Sequence, residues 1–179
     1  SVLTATGVSG TLLWSNGAAT PDITVTAGGT YTVTQTISGC TGSTAGSGVA
    51  APKVIPSAPN VEVINNCGNS VLTASGFTGT LLWSNGATTA SITVNAEGTY
   101  TVTQTINGCT SETGTGVAAP KAIPPAPSGS VLDDCGISTL TAGSFTGSLS
   151  WNNAATTTFI TVNQAATYTV TQTVNGCTS

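Results

Sequence analysis

One segment of twenty residues occurs three times in this chain, and its spacing limits the folds that are possible. The segment SVLTATGVSGTLLWSNGAAT begins at Ser1, and it returns as SVLTASGFTGTLLWSNGATT from Ser70 and as STLTAGSFTGSLSWNNAATT from Ser138. The tryptophans of the three copies follow one another at intervals of 69 and 68 residues. A fixed period of this size is typical of tandem modules. The sequence therefore predicts three small domains, called repeats 1, 2 and 3 below: residues 1–56, 57–124 and 125–179.

Repeat 2 consists of short β-type runs separated by turn residues. The runs VEVINN, SVLTAS, TLLWS, SITVN and TYTVTQTI are rich in β-branched residues and bounded by Gly, Asn and Pro. No stretch has a helical period. The pattern predicts an all-β fold of tandem immunoglobulin-like β-sandwich repeats, with Trp83 in the core and Tyr100 at a tyrosine corner.

Asn-Gly pairs mark the tightest turns of the predicted strands. Asn85-Gly86 indicates a type I′ hairpin, with counterparts at Asn16-Gly17 and Asn152-Asn153, and Asn107-Gly108 indicates a second tight turn. Along TYTVTQTI, the side chains of Tyr100, Val102, Gln104 and Ile106 should face the core, and the intervening threonines should face water. Gln104 then needs a backbone hydrogen-bond partner or a position beyond the end of the core.

Repeats 1 and 3 are each one strand short. Repeat 1 has no counterpart of VEVINN, and repeat 3 has none of the run TGTGVAAPKAI that ends repeat 2. Two interpretations are open. The chain is a window on a longer array, or neighbouring copies of the repeat complete one another by donating a strand in trans.

Charged side chains are scarce, which excludes several classes of function. The chain has two lysines, no arginine and no histidine, and its net charge is −4. Nucleic-acid binding needs a basic face, which two lysines do not supply. Without histidine there is no Ser-His or Cys-His dyad, so we expect no enzyme activity and no cofactor. No apolar run approaches the roughly 18 residues of a membrane-spanning helix.

The five cysteines recur with the repeats. Cys67 and Cys109 are 42 residues apart, as are Cys135 and Cys177. This spacing predicts one disulfide within repeat 2 and one within repeat 3, and it leaves Cys40 unpaired because its mate would precede the chain. The alternative pairing joins Cys40 to Cys67 and Cys109 to Cys135 across neighbouring repeats. Repeated disulfides in small domains are typical of oxidising, extracellular compartments.

Acidic and basic side chains do not form a recognisable site in the sequence. Asp133 and Asp134 are adjacent in one repeat only, which indicates a strand end or a turn. The other acids occupy different positions of the repeat, so no calcium or other metal site is expected. Lys53 and Lys121 each precede a proline-rich joint, where they act as solvated edge charges or, alternatively, form isopeptide bonds with asparagine.

The run WSNGATTASITVNAEGTYTVTQTINGCTS, residues 83–111, carries a family resemblance. It resembles the Ig-like or PKD-like repeats of very large secreted surface proteins of Bacteroidota, including adhesins of the gliding-motility type that the type IX system exports. The motifs W-S-N-G-A-T-T, G-T-Y-T-V and N-G-C-T carry the likeness, and all three copies contain versions of them. The resemblance implies a cell-surface stalk or filament of many modules, with neighbouring repeats and an unknown surface or glycan target as partners.

A second function of a different class is a carbohydrate-binding accessory region of a secreted enzyme. Such a region needs two or three exposed aromatic side chains on one face. Trp14, Trp83 and Trp151 all fall in predicted core strands, which leaves Phe159 as the aromatic residue that could be exposed.

Overall fold

The computed structural model describes all 179 residues, which form strands and turns without a helix. They divide into two compact units, Ser1–Ile55 and Pro56–Ser179. The first unit contains repeat 1, and the second contains repeats 2 and 3. The predicted all-β fold is confirmed. The division into the three ranges 1–56, 57–124 and 125–179 stays a prediction.

Each repeat contributes its own strands. Repeat 1 has β1 (Val2–Thr4), β2 (Thr11–Trp14), β3 (Asp22–Thr24), β4 (Gly29–Ile37), β5 (Cys40–Thr41) and β6 (Gly46–Ala50). Repeat 2 has β7 (Asn60–Asn65), β8 (Ser70–Ser75), β9 (Thr80–Trp83), β10 (Ser91–Val94), β11 (Gly98–Ile106), β12 (Cys109–Thr110) and β13 (Gly114–Ala118). Repeat 3 has β14 (Ser128–Asp134), β15 (Ile137–Gly143), β16 (Ser148–Trp151), β17 (Phe159–Val162), β18 (Val170–Val174) and β19 (Cys177–Thr178).

Repeat 2 has the strand order of an immunoglobulin sandwich. One sheet runs β10–β8–β7, and the other places β11 between β9 and β13, with β12 paired to the last two residues of β11. In the usual lettering these sheets are A-B-E and C-F-G, the arrangement of immunoglobulin domains without strand D. The predicted immunoglobulin-like sandwich is therefore confirmed.

The core of repeat 2 lies between these two sheets around a buried tryptophan. Trp83 is 2% exposed and packs with Leu72 and Val102, which are both 0% exposed. The indole Nε1 of Trp83 donates to the carbonyl of Thr89 at 2.8 Å, so its one polar group is satisfied. The hydroxyl of Tyr100 donates to a backbone carbonyl four residues earlier at 3.5 Å, which forms the predicted tyrosine corner.

The faces of β11 divide as their alternation predicts. Val102 and Gln104 are buried, Tyr100 and Ile106 are half-buried, and the threonines between them lie on the outer face of the sheet. Threonine is β-branched and suits a strand, so hydroxyl groups take the place of charged groups on this surface.

The turns agree with the sequence in one case and differ in another. Asn107 and Gly108 have φ of 50° and 78°, the positive pair that a type I′ hairpin requires, and they join β11 to β12. The hairpin predicted at Asn85-Gly86 is wrong. Only Gly86 has positive φ there, and the chain leaves β9 for β10 in the opposite sheet.

Repeat 3 places an alanine at this turn. The predicted counterpart Asn152-Asn153 is displaced by one residue, because the residue with positive φ three positions after Trp151 is Ala154, at 68°. The backbone amide of Ala154 donates to the carbonyl of Trp151 at 2.9 Å, just as Gly86 donates to Trp83. Ala154 thus holds a left-handed conformation that glycine holds in repeat 2.

Repeats 1 and 3 keep the same plan with one strand fewer each. In repeat 1, β1 pairs only with β3, whereas its counterpart β8 lies between two strands. In repeat 3, β18 covers five residues, whereas β4 and β11 each cover nine. The first half of β11 pairs with β13, and repeat 3 has no counterpart of that strand, so the corresponding residues carry no strand ladder.

Candidate functional site

The most specific chemical feature of the chain is a disulfide between repeats 2 and 3. Cys67 and Cys177 are bonded, with their Cα atoms 5.5 Å apart and a sequence separation of 110. Cys177 is 1% exposed. Both cysteines belong to the second compact unit. We call this bond the staple, because it crosses the joint between two repeats.

The staple corrects the predicted disulfides. Cys67 does not pair with Cys109, and Cys135 does not pair with Cys177; Cys109, Cys135 and Cys40 are free thiols. The alternative pairing, Cys40 with Cys67 and Cys109 with Cys135, is not present either.

The strand directions explain why a bond within repeat 2 cannot form. Cys109 pairs with Ile106 at the last residue of β11, whereas Cys67 lies beyond Ala118, which pairs with the first residue of β11. Nine residues of strand separate these ends by roughly 26 Å. A disulfide requires Cα atoms about 4.4–6.8 Å apart. The two cysteines therefore belong to opposite ends of the sandwich.

We call the end with Cys67 the exit end of repeat 2, because the chain leaves the repeat there. Cys67 forms a parallel bridge with Lys121, and the amides of Gly68 and Lys121 donate to the carbonyls of Lys121 and Asn66 at 2.8 Å. Asn65 closes the same end, since its Oδ1 accepts from the Ser70 hydroxyl and from the Ala119 amide. The staple is thus anchored in a strand end that several backbone and side-chain hydrogen bonds hold in place.

The opposite, entry end of repeat 2 is held by a buried glutamine. Gln104 is 2% exposed, and its Oε1 accepts from the amides of Thr78 and Gly79 at 3.0 and 3.1 Å. Its Nε2 donates to the carbonyl of Ser57 at 2.8 Å. Gln104 therefore finds the backbone partners that its inward position requires, and it fixes the proline-rich segment that enters the repeat.

Repeat 3 repeats this arrangement at the joint with repeat 2. Gln172 is 2% exposed, its Oε1 accepts from Thr146 and Gly147, and its Nε2 donates to the carbonyl of Pro125 at 2.7 Å. Cys177 lies on β19, the short strand that pairs with the end of β18. The entry end of repeat 3 thus meets the exit end of repeat 2 through a hydrogen bond to the joint and through the staple.

We call the hydrogen bonds by which Gln104 and Gln172 hold the segment that enters each repeat the glutamine clamp. Sequence reasoning did not predict that the staple and the clamp together hold the joint between repeats 2 and 3. The signal for the clamp is the recurrence of glutamine at one inward position, Gln35, Gln104 and Gln172. The signal for the staple is the direction of the strands on which its cysteines lie, which depends on a crossover between sheets.

The aromatic residues do not form a binding platform. Trp14, Trp83 and Trp151 are 4%, 2% and 4% exposed, and each indole donates to a backbone carbonyl six residues later. Phe159 is 55% exposed, and no tryptophan lies on the surface beside it.

Asp133 and Asp134 act as strand-end residues. Asp133 accepts from the Ser138 hydroxyl at 2.6 Å, and Asp134 accepts from the amide of Cys135 at 2.7 Å, at the end of β14. This confirms their predicted role. No group of three or more His, Cys, Asp or Glu side chains gathers in the structure. Lys53 and Lys121 are both exposed. The structure contains no helix with the length and apolar character that crossing a membrane requires.

Comparisons with known proteins give a limited result. No family model matches the chain, and no curated protein matches it. Among solved structures, the chain is similar to domains A168–A170 of titin at 16% identity, over 94% of this chain and 84% of that one, with a TM-score of 0.29. A score of this size carries no functional argument, so the immunoglobulin-like assignment depends on the strand order and core described above.

Proposed function

We propose that the chain is a structural repeat region of an extracellular filament or cell-surface adhesin stalk. The observation that carries this proposal is the staple between Cys67 and Cys177. A covalent bond across a joint brings no reactive group to a cleft, but it prevents two repeats from separating under load. Disulfides of this kind persist in oxidising compartments, which favours a location outside the cell.

Other features of the chain support the same function. Prolines and the hydrogen bond from Gln172 to the Pro125 carbonyl fix the path of the chain through the joint, in contrast to a flexible Gly-Ser linker. The resemblance to repeats of large secreted surface proteins of Bacteroidota points in the same direction. In this proposal the partners of the chain are neighbouring repeats, together with a surface or glycan target that lies elsewhere.

Carbohydrate binding by the repeats themselves is the less supported function. The three tryptophans are committed to the cores, and a lone exposed Phe159 does not make a stacking platform.

Pulling single chains from both termini tests the mechanical role. With the staple closed, the 110-residue separation between Cys67 and Cys177 cannot extend, so unfolding the second unit should release little length. A reducing buffer should add roughly 360–400 Å of contour length. Equal extension in oxidising and reducing buffer would contradict the proposal.

Location is tested separately with an antibody raised against the chain. The antibody should label intact, unpermeabilised source cells in lines that extend from the surface. Labelling only after permeabilisation, or saturable binding of the chain to polysaccharide in a glycan array, would favour a different function.

A further inference from the structure

A tight turn of asparagine and glycine joins the last two strands of repeat 3. Asn175 and Gly176 have φ of 50° and 79°, the positive pair of a type I′ hairpin. They lie between Val174 and Cys177, which pair with each other across the turn. Both residues of the turn are exposed.

This turn lies at the joint between repeats 2 and 3. The carbonyl oxygen of Gly176 is 3.6 Å from the Sγ of Cys67, and the next residue, Cys177, is bonded to that sulfur. Beyond the turn, the amide of Ser179 donates to the carbonyl of Gln172 at 3.0 Å, and the amide of Gln172 donates to the Ser179 hydroxyl at 3.1 Å. The length of the turn therefore sets the register that holds both the staple and the glutamine clamp.

An asparagine followed by glycine carries the groups for a reaction within the chain. The backbone nitrogen of Gly176 attacks the side-chain Cγ of Asn175, a C–N bond forms, and the side-chain nitrogen leaves as ammonia. Water then adds to one of the two carbonyls of the resulting succinimide ring and opens it. The product is aspartate or isoaspartate, in which the main chain runs through the β-carbon. Water is the only co-reactant, and no electrons are exchanged.

The conformation of the turn leaves this reaction open. Ring closure brings the Gly176 nitrogen to the side of the Asn175 Cβ, so the peptide group between the two residues must turn over. That rotation converts a type I′ turn into a type II′ turn, and both types have positive φ at the first central residue. The second residue changes the sign of its φ, which glycine tolerates. The amide of Gly176 donates to no backbone carbonyl, so the rotation breaks no backbone hydrogen bond.

The Asn-Gly pair at the crossover turn of repeat 2 is held in place instead. The amide of Gly86 donates to the carbonyl of Trp83 at 2.9 Å, which engages the nitrogen that would attack. The Oδ1 of Asn85 accepts from the amide of Ala87 at 3.1 Å. The matching pair in repeat 1 makes the same two bonds, at 2.8 and 3.2 Å. Reaction at the crossover turns therefore requires the loss of two hydrogen bonds.

From this contrast we infer that Asn175 is a site of spontaneous deamidation within the joint. Isoaspartate adds one atom to the main chain of a two-residue turn, so Val174 and Cys177 cannot keep their pairing. The staple still connects the two repeats, whereas the hydrogen bonds around Gln172 weaken. The joint thereby changes with the age of the molecule. The inference depends on the geometry of the turn and holds whether or not the chain serves on a cell surface.

Incubation of the full chain in a mildly alkaline buffer tests the site, with peptide mapping by mass spectrometry. The peptide that contains Asn175 should gain the mass of a hydroxyl in place of an amino group and should separate into two isomers. Conversion should be at least about tenfold faster than at Asn85, where two hydrogen bonds must break. In concentrated urea the two rates should become similar. Equal rates in the folded chain, or no conversion at Asn175, would overturn the inference.

Repeat 1 supplies a matched control for the effect on the joint. Ser38 and Gly39 form the same turn with φ of 49° and 79°, so Asn175→Ser should keep the conformation while it removes the side-chain amide. Hydrogen exchange of residues 172–179 should become about threefold faster or more in the aged parent chain and stay unchanged in the aged variant. Unchanged exchange in the deamidated parent, or equal acceleration in Asn175→Ser, would show that deamidation does not loosen the joint.

Discussion

Cys67 and Cys177 come from different repeats, yet their Cα atoms lie 5.5 Å apart. The bond closes a loop that contains most of the second compact unit, from β8 to β18. The exit end of one immunoglobulin-like repeat is thereby fixed to the entry end of the next.

Loss of the staple should destabilise the second unit strongly. Cys67→Ser opens a loop of 110 residues, and the chain-entropy relation assigns a loop of that size about 4 to 5 kcal/mol of the free energy of unfolding. Urea denaturation followed by tryptophan fluorescence measures the loss. Cys40→Ser is the control and should change nothing in this unit. A comparable loss with Cys109→Ser would indicate that the sulfurs pair within repeat 2.

Loss of the inward-facing glutamine should lower the free energy of unfolding substantially only in a repeat where that side chain is buried. Gln104→Leu leaves the amides of Thr78 and Gly79 and the carbonyl of Ser57 without partners, at about 2 to 4 kcal/mol in the free energy of unfolding. The same change at the half-exposed Gln35 should cost less than about 1 kcal/mol, because water can replace the side chain. Denaturant midpoints of the two variants decide the matter, and equal losses would contradict the clamp.

Ala154 has a left-handed backbone conformation, so its replacement by glycine should stabilise the protein, unlike the two losses above. Ala154→Gly relieves a φ of 68° and should raise the free energy of unfolding of repeat 3 by about 1 kcal/mol. The reciprocal change, Gly86→Ala, should lower the stability of repeat 2 by a similar amount. Thermal unfolding of both variants provides the measurement, and a destabilised Ala154→Gly variant would show that the turn is not strained.

Gly46 and Gly114 begin matching strands of repeats 1 and 2, so the same substitution at each tests how closely their neighbours pack. Gly114→Val forces a side chain against the Pro59 carbonyl and Val61, so β7 must move, at a cost of about 3 kcal/mol or more. Gly46→Val should cost less than about 1 kcal/mol, because only Val33 lies near it. Circular dichroism and denaturant unfolding compare the pair. Similar losses at both positions would contradict this difference in packing around the two glycines.

Local patterns predicted the strands and the core well. Alternation placed Val102 inside, and the repeated tryptophans marked strands of the core. Tyr100, near the start of a strand that follows a glycine-containing turn, marked the tyrosine corner. Each of these features depends on residues that are close together in the sequence, so a single sequence is enough to predict it.

The disulfides could not be predicted in this way, because they depend on topology. A simple up-and-down order of strands would bring Cys67 and Cys109 to the same end of the sandwich. After Trp83 the chain instead crosses to the other sheet, where β10 runs in the same direction as β9. That crossover reverses the direction of β11 and carries Cys109 to the opposite end. The turn at Asn85-Gly86 has the residues of a hairpin but serves this crossover.

The threonine-covered face of β11 has one further consequence. With only 4% of residues charged, the surface produces almost no long-range electric field. Encounters with other molecules will be governed by short-range hydration and hydroxyl chemistry, and their rates should vary little between fresh water and sea water.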